Sequence, residues 1–415
     1  MGNTLLTIDM IGKEALRLAH EKLTFIGTIN RQFDDSFGAS SGKIGDTLRI
    51  RIPSQYTRRT GSRVMDVQDS VQVSTNLVVA TQDGVDMRFN SRELALDLDN
   101  FSKLHLEPAM ATLVSGIESD CLSYCTKNTF NFAGNWTPST GYTNNTALSP
   151  VSSLTAAGNA RTRLNQNLAP KMDRMAQFDS GTMASLVTGV ASYFNPSNAI
   201  SEQYREGLVA RTAMADYYEN ERVFSLTTIT SVTQSTAKMN GFISTLGQTS
   251  TNVTSITQQV PVGTLFTIAN VYDVHPETKA QYNVLKQFTV TSSNSNASSW
   301  NFAPAIYMSG PRQNVSGAFT ATTLAQSSYA ITIVGTTTAT FANGLMYYKD
   351  AFTFATAALP IMADAARCVV KTYDGLSLRL WQASDIRNDE QLTRIDILYG
   401  FQAIRPEWAC RVIGN

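Results

Sequence analysis

The feature that most limits how this chain can fold is a long stretch almost without charge. Residues 226–345 carry only six charged side chains, Lys238, Asp273, Glu277, Lys279, Lys286 and Arg312, although the whole chain has 33 basic and 33 acidic residues. The stretch is rich in Ser, Thr and Val, and short apolar runs at 264–272, 285–291 and 329–334 read as strands. Its flanks are charged and mixed in pattern. A chain of 415 residues exceeds what one core organises. The composition therefore predicts a β-domain inserted into an α+β host.

The flanks supply the host's elements. Residues 7–22 place Ile8, Ile11, Ala15 and Leu18 at helical spacing, with Lys13, Glu14, Arg17 and Glu21 elsewhere on the wheel. A terminal helix this short is marginal alone, so it docks on its own body or on a neighbour. Residues 47–53 alternate Leu48, Ile50 and Ile52 with Arg49 and Arg51, and Val71–Val79 reads as a second strand. Between them a polar tip carries Arg58, Arg59, Gly61, Arg63, Asp66 and Asp69. A two-stranded ribbon is weak in water, so this hairpin packs either on its own domain or on a partner. Its arginines read first as a solvated loop and only second as partners for a neighbour's carboxylates. The strongest helix covers 106–127, with Leu106, Met110, Leu113, Val114, Ile117, Cys121 and Tyr124 in one stripe and Pro108 in the first turn. A helix from Ser153 to about Leu168, a strand within Arg174–Val187, a helix-like segment opened by Pro196 and a last strand at Gln391–Ala403 complete the reading.

Chemical motifs are few. Gly38-Ala39-Ser40-Ser41-Gly42 has the G-x-S-x-G spacing of serine hydrolases, but a nucleophile elbow needs a strand before it and a helix after it. Here a loop precedes and a strand follows, so an ordinary turn is expected. Asp273, His275 and Glu277 alternate and could face one metal ion. Pro276 among them makes Asp-Val-His-Pro-Glu-Thr a turn instead. With three histidines in the chain, His20 and His105 read as surface or capping residues. Cys121, Cys125, Cys368 and Cys410 lack metal-ligand spacing and read as reduced thiols of a cytosolic protein. No cofactor is implied, and the expectation is no enzyme. No run of 18 apolar residues spans a membrane, and the amino terminus lacks the pattern of a signal peptide. A formal charge of zero gives no bulk attraction to nucleic acid or anionic lipid.

Several stretches, in their order, resemble a known family. They are Asp99-Asn100-Phe101-Ser102 with Leu106-Glu107-Pro108-Ala109-Met110, then Phe266–Tyr272, Pro276-Glu277-Thr278-Lys279 and Gln287-Phe288-Thr289-Val290, and finally Lys349-Asp350-Ala351-Phe352 and Arg405-Pro406-Glu407. Together they are similar to the major capsid proteins of tailed bacteriophages with the Hong Kong 97-type fold, in the P22-type branch whose coat carries an inserted domain. The resemblance implies an N-terminal arm at 1–45 and an extended loop hairpin at 46–84. It implies a peripheral domain with the spine helix at 85–149, an axial domain at 150–225, an inserted β-barrel at 226–345 and a return to the host domains at 346–415.

The same resemblance implies a function: self-assembly through quasi-equivalent contacts into an icosahedral phage head, first as a procapsid and then as an expanded, DNA-filled shell. The partners it implies are sister copies in hexamers and pentamers, a scaffolding protein, a portal, and double-stranded DNA enclosed without sequence-specific binding. No membrane is involved, and assembly takes place in the bacterial host cytoplasm. Arg58, Arg59, Arg63 and Asp66 at the loop tip are the expected inter-subunit residues. Some family members weld their shells through a lysine in this loop, but residues 46–84 contain none, so no such link is expected. Rival readings are an encapsulin-like compartment sharing the fold, a serine hydrolase using Ser40, and a β-rich tail or adhesion protein.

Overall fold

The apolar stripe read over 106–127 forms a helix over Glu107–Asn128, closed by Asn128 Nδ2, which donates to Tyr124 O at 2.9 Å. This computed structural model describes residues 8–31, 47–62, 65, 67–69, 72–90, 105–134, 151, 154–191, 215–228, 238–240, 246–254, 256, 259–293, 299–317, 330–335, 340–362 and 367–414. The chain divides into two units. One comprises Met1–Ile50, Ser74–Cys121 and Phe352–Ile404, the other Arg51–Val73, Leu122–Ala351 and Arg405–Asn415. The helices are α1 (Ile8–Lys22), α2 (Phe25–Thr28), α3 (Glu107–Asn128), α4 (Leu154–Gln166) and α5 (Ser180–Ala191).

In the first unit α1 buries Ile11, Ala15 and Leu18 as predicted, with Leu16 and Ala19 beside them. It packs on strands β17 (Arg367–Tyr373) and β18 (Leu376–Asp385), so the arm docks on its own body. These strands belong to an antiparallel sheet with β16 (Phe352–Ala357), β19 (Glu390–Ala403) and β3 (Thr81–Asn90). The long β19 organises it, pairing β18 over 390–396, β16 over 398–403 and β3 over 390–399. Asp396, fully buried on β19, accepts from Arg379 Nη2 at 2.6 Å and Arg394 Nε at 2.7 Å. His20 Nε2 lies 2.9 Å from Asp374 Oδ2, which also accepts from Arg31 Nη2 at 2.7 Å. Exposed His105 sits edge-on to Phe89. Both histidines thus take the structural roles expected of them.

A buried carboxylate ties α2 to α3. Glu118 Oε1 accepts from the Thr24 N–H at 3.0 Å, the Thr24 hydroxyl at 2.8 Å and the Phe25 N–H. The two backbone donors stand at the opening of a helical turn, where N–H groups lack the usual helical acceptor. Glu118→Ala removes the acceptor that all three donors share and is expected to cost about 2–3 kcal/mol of unfolding free energy. Urea titration measures this, and Glu118→Gln, which keeps an acceptor, loses less.

The second unit holds two sheets. One runs β4 (Phe132–Ala133), β20 (Ala409–Ile413), β15 (Thr340–Tyr348), β5 (Arg174–Phe178), β6 (Asp216–Glu219), with β7 (Ser225–Thr227) also on β15. Helix α4 covers this sheet through Ala156, Ala157, Ala160 and Leu164, which cluster with Phe178, Tyr217, Met346 and Val412. Small residues there let helix and sheet approach closely. The predicted strand within 174–187 is β5, and the rest of that range is α5.

The charge-poor block builds the other sheet. Its strands are β8 (Lys238–Asn240), β9 (Gln248–Thr254), β10 (Leu265–Val274), β11 (Gln281–Ser293), β12 (Ser299–Ile306), β13 (Val315–Ser316) and β14 (Ile331–Ile333). The order is β13-β10-β11-β12-β9-β8, with β14 also on β10. Phe266, Phe288, Trp300 and Phe302 form its aromatic centre, with ring centroids as close as 5.4 Å. β7 and β15, where the chain enters and leaves the block, are zipped together at Leu226↔Phe341. The segment opened by Pro196 lies outside the described residues.

Candidate assembly surface

The hairpin has two different halves. At its base β1 (Thr47–Ile52) pairs with β2 (Val73–Val78), and Ile50 and Leu77 are buried against Ile404 with Leu48 and Ala355 alongside. The base therefore packs on its own domain. Beyond Pro53 regular pairing stops. Gln68 there stands in for a ladder rung: its Oε1 accepts the Thr57 N–H and its Nε2 donates to the Thr57 carbonyl, both at 2.8 Å. The same stretch leaves Tyr56, Met65 and Val67 at 58%, 80% and 75% exposure. Arg58 and Arg59 are exposed beside them, while Arg63 and Asp66 lie outside the described residues. The sequence reading chose the tip for its charges and passed over its apolar side chains. Their spacing in a polar loop is the signal that could have found them.

Two of the block's six charges are spent inward. Asp273 on β10 is buried and receives Lys286 Nζ of β11 at 2.8 Å and Arg163 Nη1 of α4 at 3.5 Å. Gln287 of β11 makes a two-way bond with the backbone of Phe132, its Oε1 accepting and its Nε2 donating at 2.9 Å. Arg411 of β20, fully buried, donates to Gly263 O at 2.6 Å, Lys127 O at 2.9 Å and Thr289 Oγ1 at 3.0 Å. Burial pulls its guanidinium down to about 9. It is thus still a cation at neutral pH, and its bond to the Lys127 carbonyl in the last turn of α3 is charge-assisted. Around this polar centre Phe132, Leu226, Leu265, Val334, Phe341 and Ile413 form an apolar rim. The inserted sheet is therefore fixed to the sheet beside it, not tethered by two strands alone.

The turn expected at Asp-Val-His-Pro-Glu-Thr is present. His275 Nδ1 accepts the N–H groups of Glu277 and Thr278 at 3.1 and 3.2 Å, and Asp273 is committed to its two cations. No cluster among the described residues could hold a metal. The Gly38–Gly42 motif with Ser40 lies outside them. All four cysteines are free, three of them buried. No helix among the described residues is long and apolar enough to cross a membrane.

The comparisons with known proteins come to bear on this geometry. Residues 227–414 match the family described as "P22 coat protein - gene protein 5". This stretch carries the domain of that coat-protein family. The match begins one residue past the boundary drawn from charge, so it covers the inserted sheet and everything after it. A comparison with curated protein sequences gives no match. Among solved structures the protein is similar to a chain of Mycobacterium phage Che8, at 8% identity over 94% of this chain and 90% of that one, with a TM-score of 0.45. It is similar to a chain of the capsid of the Cyanophage P-SCSP1u, at 10% identity over 90% and 84%, with a TM-score of 0.43. It is also similar to the virus-like particle from Pyrococcus furiosus, at 10% identity over 97% and 98%, with a TM-score of 0.38. The chain has the mixed α+β composition expected from its sequence. The matched domain is that of a phage coat protein, a structural component of a virion's capsid.

Proposed function

We propose that the β1–β2 hairpin is the extended loop of this major capsid protein, that it lies across a neighbouring subunit, and that Arg58, Arg59, Arg63 and Asp66 make polar contacts there. The observation that carries this is the apolar trio on the loop. Tyr56, Met65 and Val67 leave most of their surface in water, and each such side chain removed from it is worth roughly 1.5–3 kcal/mol. A variant with all three changed to Ser is expected to keep the parent's urea midpoint, because none is buried, but to give no closed shells by electron microscopy. Normal shells at the parent's yield would refute the role.

The other parts follow from the same reading. Residues 1–45 are the N-terminal arm, on the inner face and displaced as a procapsid expands. Residues 85–149 are the peripheral domain with the spine helix α3, 150–225 the axial domain around five- and six-fold axes, 226–345 an inserted β-barrel facing outward, and 346–415 the return to the host domains. Pentamers and hexamers then need a scaffolding protein for curvature, a portal, and double-stranded DNA held without sequence-specific contacts. A balanced charge fits this, since neither sister copies nor DNA meet a strong field. Assembly belongs in the host cytoplasm. Co-purified DNA and a single portal vertex separate this reading from an encapsulin-like compartment, whose particles hold cargo enzymes instead.

A further inference from the structure

A shell of one polypeptide imposes reciprocity. A heterologous contact has two unlike halves, and both must be on the same chain. If the hairpin tip is one half, the other is an exposed apolar surface elsewhere on this sequence. Pro360, Ile361 and Met362 are the only three consecutive apolar residues that are all exposed among the described residues, and half-exposed Ala358 and Leu359 lead into them. Ile361 is 61% exposed and Met362 42%. Such a run in water marks an interaction surface.

The run is also held in place. Buried Arg379 donates to Pro360 O at 3.3 Å and to Asp396 Oδ2 at 2.6 Å, and its guanidinium lies 5.9 Å from the Trp381 ring centre. The apolar surface is thus anchored to the β18–β19 ladder through a buried ion pair, so little ordering is needed when a partner arrives. We infer that Leu359–Met362 is the seat on one subunit for Tyr56, Met65 and Val67 of the next. This rests on the hairpin reading above and names its acceptor.

Tyr56→Cys with Ile361→Cys, introduced in the full-length protein and oxidised after assembly, tests the pairing. A head-to-tail contact gives a ladder of dimers, trimers and longer chains on a denaturing gel, and neither single variant gives a ladder. Dimers from Ile361→Cys alone would mean that the seat meets its own copy, and a cross-link within one chain would mean that the tip does not leave its subunit. Intact shells with no cross-link would show that the tip lands elsewhere. Each of these three overturns the assignment. Separately, Ile361→Ser with Met362→Ser is expected to raise the concentration needed for assembly about ten-fold with an unchanged urea midpoint, and no rise would overturn the seat. The triple-Ser tip variant separates the two ideas. If it assembles normally the hairpin role fails, whereas a defective tip with a silent seat removes only the acceptor.

Discussion

Asp273→Ala is expected to lower the unfolding free energy of the subunit by about 3–5 kcal/mol, the cost of leaving a buried ion pair without one partner. Asp273 faces Lys286 Nζ at 2.8 Å and Arg163 Nη1 at 3.5 Å, and the three side chains are each at most 6% exposed. Removing it leaves two cations in a dry junction between the inserted sheet and α4. Urea unfolding followed by the fluorescence of the tryptophans, including buried Trp300, measures the loss. A shift below about 1 kcal/mol would mean that water reaches the junction and screens it. Replacing all three together, as Asp273→Leu, Lys286→Met and Arg163→Met, is expected to recover most of the stability, because apolar groups of similar volume need no counter-charge. The contrast separates the burial of a lone charge from the loss of a contact.

The sequence made some of this legible. The charge gap located a separate sheet because a β-structure rich in Ser and Thr can satisfy its surface without ions. The stripes over 8–22 and 107–128 gave α1 and α3 because burial on one side enforces helical spacing. The residues that fix the parts to one another were harder to see. Arg163 and Asp273 lie 110 positions apart, and nothing local links them. Arg411 interrupts an apolar pattern, Ala409–Ile413. A lone charge in such a setting points to a buried, fully bonded group, a clue that the charge-by-region reading did not use. The strands at Gln248–Thr254 and Ser299–Ile306 also escaped. The first alternates mostly between polar residues and gives little contrast between faces, and in the second Pro304 interrupts the run that Trp300 and Phe302 begin.

Gly400→Ala is the other substitution expected to be severe, with a loss of about 3 kcal/mol. Gly400 on β19 lies beneath the root of the hairpin, and a Cβ there would stand 2.0 Å from Val78 O, 2.8 Å from Val78 C and 2.9 Å from Val79 Cα. All three are backbone atoms, so no rotamer change can make room. β2 or β19 must move instead. β19 is held by β16 at Gly400 itself and by β3 up to Tyr399, so the hairpin root yields. That shift changes the angle at which the tip leaves its base, where Ile50 and Leu77 meet Ile404. Assembly should therefore suffer beyond what the lost stability explains: at a temperature where the variant is still folded, shells should be fewer or misshapen by electron microscopy. Gly116→Ala on the exposed side of α3 is the control. Nothing lies within 4 Å of its Cβ position, and replacing a mid-helix glycine should raise subunit stability by about 0.5–1 kcal/mol. If Gly400→Ala unfolds at the parent's urea concentration, the close approach of β2 to β19 does not hold the hairpin, and its direction is set by its neighbours in the shell.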